Sequence, residues 1–451
     1  MTLAQILAIV IFLVMFGVIT WGKVHRYIPA LIGAALTIVV VFLIVLREPH
    51  LVANVLNIGQ LGKAEFWLPG HVAVESRGVN WQTIIFIAGM MIMVEGMAEA
   101  GFFNWLCLYV AKIARYKVIP ILIGFMLLSG FLAMFIDSIT VLLFMTVVII
   151  ELARLLKFDP VPIIIATIFA ANVGGSATMS GDPPNIIIGT AFGYTFIDFV
   201  TNTGPIAWVA MLAAMLFFYL SFRKSLTATK SRTEPPPKYP EPRDAIKNAL
   251  MFRLSTAIFF IVIVLLITHA QTGLSVGFIG VIATSLTLVA NPHKAFHIIK
   301  RLDWRTMLFF IGLFVCVGGL EETGLLKMLA EYIGRISGGN ILLEITIILW
   351  VSAFASAIVD NIPFAATMVP VIANLAQATG VPLPTLAWTL ALGTDIGGNA
   401  TPIGASANVV GTAIAERKGY PIGWGRYMKY AIPATIILVA MCWLWLGLRY
   451  A

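Results

Sequence analysis

Charged residues and cysteines are scarce in this sequence. Asp, Glu, Lys and Arg make up 11% of the 451 residues, whereas 60% are hydrophobic. An ordinary soluble domain carries about 25% charged residues, so this composition excludes a soluble enzyme of this length. The three cysteines, Cys107, Cys316 and Cys442, lie far apart without CxxC spacing and indicate neither a disulfide framework nor a thiolate metal site. We therefore predict an all-α polytopic membrane protein.

Acidic residues are fewer than basic ones, 21 against 29, which gives a net charge of +8. A nucleic-acid partner would need a soluble basic patch interleaved with aromatic residues. The basic residues lie instead in short loops between apolar runs, so no nucleic-acid partner is predicted. The partner that the composition predicts is the lipid bilayer.

Apolar runs predict about ten transmembrane helices, because a bilayer core about 30 Å thick needs roughly 20 apolar residues per helix. Clear spans lie near 4–21, 28–46, 82–98, 205–221, 251–268, 274–290, 306–320 and 430–448. Gly, Pro, Asn and Asp interrupt two longer apolar blocks, and each block is predicted to hold a re-entrant hairpin followed by one broken helix. The predicted hairpins are 118–156 and 341–375, and the predicted broken helices are 162–200 and 385–415.

The basic residues fall mainly on one side of this topology. When each hairpin enters and leaves on the same side, 23 of the 29 Lys and Arg residues share the side of residues 22–27. The positive-inside rule makes that side cytoplasmic. We therefore expect a protein of the bacterial inner membrane with both termini external.

A constant offset in residue number relates two halves of the chain. FLAMFID at 131–137 recurs as FASAIVD at 354–360, and GGSAT at 174–178 recurs as GGNAT at 397–401, so the offset is 223 in both cases. Five predicted crossings separate the two aspartates that end the first pair, and an odd number makes the repeats inverted. Inverted repeats with broken helices are typical of secondary transporters that work by alternating access. The predicted domains are an N-terminal repeat 1–221, a cytoplasmic linker 222–250 and a C-terminal inverted repeat 251–451.

Polar, glycine-rich segments interrupt the two broken helices, NVGGSATMSGDPPN in the first half and DIGGNATPIGASAN in the second. Unwound backbone at membrane depth is tolerated only inside protein or beside a water-filled cavity. Freed carbonyls with hydroxyl and amide side chains suit a hard cation such as Na⁺, and half-helix N-termini favour an anion. The candidate binding residues are Asn172, Gly174, Gly175, Ser176, Thr178, Asp182, Asn185, Asp395, Gly397, Gly398, Asn399, Thr401, Ser406 and Asn408.

The predicted hairpin tips carry Asp137 with Ser138 and Thr140, and Asp360 with Asn361. An aspartate at a tip can cap the returning helix, but a carboxylate at membrane depth is costly and is by default a functional candidate. Candidate Na⁺ positions lie near Asp137 and Ser176 and near Asp360 and Asn399; the coupling ion is expected to be either Na⁺ or H⁺, and no cofactor is predicted. Asp182 and Asp395 align with Ala405 and Asn172, so the two ion sites are expected to be unequal.

The motifs GGSATMSGDPPN, DNIPFAATMVPV and GGNATPIGASANVVGTAIAE resemble the arsenite permease and sodium/proton antiporter (ArsB/NhaD) group of the ion transporter superfamily, and within it the P permease branch. This resemblance implies a scaffold domain and a transport domain with two hairpins and two broken helices. It also implies elevator-type movement, commonly a dimer, and ion and substrate sites around Asp137, Ser138, Asp360 and Asn361.

Three functions remain open at this stage. The leading one is a secondary active transporter that moves a small inorganic ion, oxyanion or metalloid such as arsenite, coupled to H⁺ or Na⁺. The second is a dedicated Na⁺/H⁺ antiporter. An intramembrane aspartyl protease is a remote alternative, because the Tyr-Asp and Gly-x-Gly-Asp contexts of that enzyme class do not surround these aspartates, and no catalytic residue is predicted.

Overall fold

The structure, a computed structural model, describes residues 1–68, 78–227 and 239–451. Within these ranges every regular element is a helix. Ten helices there are long and apolar enough to cross a bilayer, which confirms the prediction of an all-helical membrane protein. The central part of the predicted linker 222–250, residues 228–238, lies outside the described residues.

Twelve helices form the first half of the chain, and α2 continues to Leu46 as a wider π-helical segment. They are α1 (Leu3–Trp21), α2 (Tyr27–Leu36), α3 (Pro49–Leu56), α4 (Ala64–Trp67), α5 (Trp81–Ala100), α6 (Phe102–Ile113), α7 (Val118–Ala133), α8 (Ser138–Leu156), α9 (Val161–Gly175), α10 (Pro183–Phe192), α11 (Phe196–Asn202) and α12 (Gly204–Thr227).

Ten helices form the second half. They are α13 (Ala249–Thr272), α14 (Val276–Ala290), α15 (Ala295–Arg301), α16 (Trp304–Glu322), α17 (Leu325–Ser337), α18 (Ile341–Val359), α19 (Asn361–Thr379), α20 (Leu383–Gly397), α21 (Ser406–Arg417) and α22 (Trp424–Tyr450).

The internal repeat is visible in both helix bounds and packing. The first residues of α5, α6, α7, α8 and α10 are related by the offset of 223 to those of α16, α17, α18, α19 and α21, respectively. Helix α7 packs on α9 as α18 packs on α20, and α5 packs on α14 as α16 packs on α2. The halves also interlock, because α21 packs on α8 and α9 while α10 packs on α19 and α20.

Two glycines let the repeat pack closely. A Cβ on Gly174 would lie 2.1 Å from the carbonyl oxygen of Gly130 in α7, and a Cβ on Gly397 would lie 2.2 Å from the Cα of Ala353 in α18. Small residues permit such close approach of membrane helices. In the structure both glycines therefore serve helix packing, and their role beside a ligand stays a prediction.

Length and composition do not separate crossings from hairpin arms. Seven of the ten long apolar helices coincide with predicted spans, but the other three are α8, α18 and α19, which are arms of the predicted hairpins. The predicted span 274–290 is a 15-residue helix, α14, that bends by 102° into the short helices after it. Which helices turn back inside the bilayer stays a prediction.

Candidate functional site

Both broken helices are interrupted deep inside the molecule. Every residue from 161 to 189 is buried, including the break between α9 and α10, and residues 385–399 are buried up to the break between α20 and α21. Backbone groups at such breaks need partners, because water cannot replace the lost helical hydrogen bonds. The polar side chains of the two segments supply many of these partners.

Two equivalent asparagines brace the breaks. The side-chain amide of Asn185 donates to the carbonyls of Gly175 and Thr178, at 3.1 Å each. Asn408, at the equivalent position of the second repeat, donates to the carbonyls of Gly398 and Thr401, at 2.8 Å each. The four bonds fix the orientation of both amides and hold the start of each second half-helix against the end of the first.

Hydroxyl groups of the breaks contact the ends of the preceding hairpin arms. Thr178 donates to the carbonyl of Met134 after α7, and Thr401 donates to the carbonyl of Ala357 in α18 at 2.5 Å. Ser176 donates to the carbonyl of Val173 at 2.8 Å. These predicted cation ligands therefore also satisfy backbone groups.

One carboxylate joins the two hairpin tips. Ser138 donates to Oδ1 of Asp182 at 2.9 Å, and Asn361 donates to Oδ2 of the same residue at 2.7 Å. Ser138 and Asn361 occupy equivalent positions of the two repeats, so both repeats meet at a single acid. The three side chains are at most 3% exposed.

The second tip has a strained aspartate at the N-cap of α19. Asp360 has φ +106°, a conformation that costs a non-glycine residue about 1–3 kcal/mol. Its Oδ1 accepts from the amide of Ile362 at 3.2 Å, and its Oδ2 accepts from Ser406 at 3.0 Å. The predicted capping role therefore holds at this tip.

Asp137, at the other tip, precedes α8 without a side-chain capping bond. Its Oδ1 has no hydrogen-bond partner among the described residues. With Thr140 and Ser180 it lines a small cavity between α8 and α5. The two predicted tips are thus equivalent in position but not in contacts.

Arg26 is a site residue that sequence reasoning missed. It lies just before α2 and donates to Ser406 at 2.6 Å and to Thr306 at 3.0 Å, and it pairs with Asp360 at 3.4 Å. Its guanidinium also lies 4.9 Å from the ring centre of Phe309. In the sequence it is one of many basic loop residues, and no local pattern distinguishes it from the rest.

Asn172 and Asp395 occupy equivalent places at the ends of α9 and α20. Asn172 donates to the side-chain oxygens of Asn399 and Asn408, at 2.9 and 2.8 Å. Neither carboxyl oxygen of Asp395 has a hydrogen-bond partner among the described residues, and the polar groups that interact with it are Asp182 and Asn185.

Acidic groups outnumber basic ones at this centre. Asp182 interacts electrostatically with Asp137, Asp360 and Asp395, whereas Arg26 is the basic residue that contacts the tips. Four carboxyl groups and one guanidinium make a centre that attracts cations.

Neither of the two predicted Na⁺ positions is held together by a hydrogen bond between its residues in the described part of the chain. Among the described residues no hydrogen bond joins Asp137 to Ser176, or Asp360 to Asn399, and no group of three or more His, Cys, Asp and Glu side chains is placed to hold a metal ion. Both positions stay predictions.

Comparisons with known proteins agree on a class of membrane proteins. The chain is 30% identical over 448 residues to a 46 kDa membrane protein of Mycobacterium leprae, and the match covers 99% of each chain. It is 31% identical over the same length to an uncharacterized transporter of Mycobacterium tuberculosis. The human P protein is 28% identical over 81% of this chain, which spans 53% of that longer protein.

Solved structures show a similar fold. The YdaH transporter of Alcanivorax borkumensis matches with a TM-score of 0.55 at 14% identity, over 88% of this chain and 86% of that one. MtrF of Neisseria gonorrhoeae, described as one of a class of antimetabolite efflux pumps, matches with a TM-score of 0.56 at 12% identity, over 100% and 95%. At such identities the likeness concerns the fold alone.

Residues 11–393 match the family CitMHS, described as citrate transporter. This range contains both hairpin tips and the whole first broken helix, but it ends just before Asp395. The family and the Mycobacterium tuberculosis relative are described as transporters, which sets the aspartyl protease alternative aside. The chain therefore belongs to the CitMHS citrate transporter family of membrane transporters and is not an enzyme.

Proposed function

We propose that this protein is a secondary active transporter that moves a small solute by alternating access, coupled to H⁺ or Na⁺. The observation that carries the proposal is the carboxylate of Asp182, which accepts from Ser138 and Asn361. Binding or release of a cation at this acid changes what both hairpin tips contact. Alternating access requires a ligand that binds two arrangements of the same element with different affinities.

We propose a small inorganic oxyanion or metalloid hydroxide as the solute. The guanidinium of Arg26 lies beside Ser406, the first residue of α21, where a helix N-terminus adds partial positive charge. Arginine is well suited to planar oxygen-bearing anions. The resemblance of the broken-helix motifs to the ArsB/NhaD group supports arsenite as one test solute, and the family description adds citrate.

Dedicated Na⁺/H⁺ antiport is the second candidate. The observation that favours it is the excess of carboxyl groups, Asp137, Asp182, Asp360 and Asp395, over the single guanidinium of Arg26. In this alternative the acids bind only cations and no other solute moves.

A cavity lies beside two of the helices that follow the site residues, α10 and α19. It has a volume of about 660 Å³ and lies between α16, α19 and α10. Phe314 and Glu321 of α16 and Asn374 and Gln377 of α19 are among its lining residues. The positive-inside assignment places the C-terminal end of α16 on the external side.

We further propose a mechanical arrangement for this transporter. The pairs α7–α8 and α18–α19 are re-entrant hairpins that move with the broken helices α9–α10 and α20–α21 as an elevator-type transport domain. The interlocked packing of α21 on α8 and of α10 on α19 supports a single moving body. The protein works as a homodimer in the bacterial inner membrane with both termini external, and belongs with the ArsB/NhaD group of the superfamily.

Transport by the purified protein in liposomes tests the proposal. Sodium, proton, arsenite and citrate gradients are imposed one at a time, with a pH-sensitive dye inside the liposomes and radiolabelled solute uptake as readouts. Solute-dependent proton or sodium movement supports the leading function, and a sodium-driven pH change without any added solute supports antiport. If no gradient moves any of these species, the transporter proposal fails.

A further inference from the structure

The second half of the chain has a carboxylic acid at the position where the first half has an amide. The offset of 223 pairs Asn172 of α9 with Asp395 of α20, and Asn185 of α10 with Asn408 of α21. All four side chains are 0% exposed. Each half of the repeat therefore supplies an end-of-helix residue that faces the bracing asparagine of the other half.

In one of these pairs a donor meets an acceptor. Asn172 donates to the side-chain oxygen of Asn408 at 2.8 Å. That oxygen is free to accept because the amide nitrogen of Asn408 already donates to the carbonyls of Gly398 and Thr401. The pair therefore has one donor and one acceptor.

In the other pair, the same arrangement places hydrogen-bond acceptors opposite each other. The amide nitrogen of Asn185 donates to the carbonyls of Gly175 and Thr178, so both amide hydrogens are used and Oδ1 is the group of this side chain that is left for Asp395, with which Asn185 interacts. A flip of the amide would turn that oxygen toward two carbonyl oxygens. Oδ1 of Asn185 and both carboxyl oxygens of Asp395 lack a partner among the described residues. Buried acceptors without donors are costly, and an ionised carboxylate without a partner is more so.

We propose that Asp395 binds a proton and donates it in a hydrogen bond to Oδ1 of Asn185. A protonated carboxyl is a donor, so this proton restores at the Asp395–Asn185 pair the bond that Asn172 makes to Asn408. The inference rests on the proposed function, and it adds Asp395 as a proton-holding residue next to Asp182, the acid that both tips contact.

The charged surroundings of Asp395 agree with a bound proton. Helices α9, α10 and α19 pack against α20 and carry no charged residue. The charged groups of the other elements around α20 are Glu344 on α18, Asp360 before α19, and Arg426, Lys429 and Arg449 on α22. Asp182 is a titratable group that interacts with Asp395. Two neighbouring buried carboxyls keep at least one proton between them, because both cannot be ionised without a cation.

A sodium ion fits this place less well. Hard cations take about six or more oxygen ligands. Oδ1 of Asn185 and the two oxygens of Asp395 are the side-chain oxygens of this pair without a hydrogen-bond partner among the described residues, and Asp182 already accepts from Ser138 and Asn361. Three side-chain oxygens satisfy a proton readily, whereas a sodium ion would need backbone carbonyls in addition.

Infrared spectroscopy of the purified protein tests the assignment without reference to transport. A protonated carboxyl has a carbonyl band distinct from that of a carboxylate. Asp395→Asn is expected to remove one neutral-carboxyl band at neutral pH, and its amide supplies the same donor to Asn185, so the fold is expected to tolerate it. Asn172→Asp is the matched variant: it places a second acid opposite Asn408, and it is expected to add a neutral-carboxyl band. The exposed residue Glu331 on α17 provides the control, because Glu331→Gln is expected to leave these bands unchanged.

The outcomes separate this inference from the proposed function. Loss of a band in Asp395→Asn together with a gain in Asn172→Asp supports a proton at Asp395, whatever the liposome assay shows. An unchanged neutral-carboxyl region in Asp395→Asn overturns the assignment even if the protein transports. A carboxylate at Asp395 with sodium-dependent thermal stabilisation that Asp395→Asn abolishes overturns it in favour of a sodium site.

Discussion

Replacing Arg26 by glutamine removes the contact between the loop before α2 and the second hairpin tip. Arg26 makes a hydrogen bond to Ser406 at 2.6 Å and one to Thr306 at 3.0 Å, and it pairs with Asp360 at 3.4 Å. Hydrogen bonds that involve a charged group contribute about 1.5–3 kcal/mol each when buried. The side chains of Arg26 and Asp360 are 25% and 14% exposed, so solvent screening reduces the total to about 2–4 kcal/mol.

The free energy of unfolding in detergent micelles, followed by tryptophan fluorescence, measures this loss. Arg26→Gln is expected to lower the free energy of unfolding by about 2–4 kcal/mol. Arg26→Lys is expected to have a free energy of unfolding between those of Arg26→Gln and the wild type, because an ammonium cannot replace the fork of the guanidinium. Arg305→Gln is the control, since Arg305 is exposed and contacts His25 instead of the tip. A double-mutant cycle with Asp360→Asn is expected to give a coupling energy above about 1 kcal/mol. Stability of Arg26→Gln within about 0.5 kcal/mol of the wild type would refute the reasoning.

Two further predictions follow from the repeat. Asn185→Ala and Asn408→Ala each remove two hydrogen bonds to backbone carbonyls at a break. Each variant is therefore expected to lower the free energy of unfolding by about 2–3 kcal/mol. A large difference between the two losses would contradict the equivalence of the two asparagines. Gly174→Ala places a Cβ 2.1 Å from a carbonyl oxygen of α7 and is expected to abolish stable expression. Gly17→Ala is the control, because its Cβ meets nothing within 4 Å, and it is expected to be neutral or stabilising. Equal expression of the two variants would exclude the packing role of Gly174.

The sequence predicts the helical elements well because the physics that selects them is local. Apolar runs become helices in a bilayer, and the polar segments from Asn172 and from Asp395 interrupt helices at the ends of α9 and α20. The offset of 223 anticipates the packing of α7 on α9 and of α18 on α20, because a repeated sequence repeats its contacts.

The contacts of the site depend on tertiary packing and are hidden in the sequence. Nothing in the residues around Arg26 indicates that it reaches Asp360, since the two are brought together by the packing of α16 on both α2 and α19. The sequence shows that Asp182 has no acidic equivalent in the second half, but only the fold shows both tips donating to it. The hydroxyl of Thr401 was a predicted cation ligand, and its bond to the backbone of Ala357 follows from how close the break lies to the hairpin arm.

Proton flux through Asp182→Asn in liposomes tests the central claim most directly, namely that one carboxylate shared by both hairpin tips couples cation binding to transport. The amide keeps the volume of the side chain but cannot bind a proton or attract a sodium ion. With the gradient and solute that drive the wild type, we expect Asp182→Asn to lose at least about tenfold in cation-coupled flux, a change of about 1.4 kcal/mol, while Glu331→Gln retains the wild-type rate. Unchanged coupled flux in a folded Asp182→Asn protein would contradict the account.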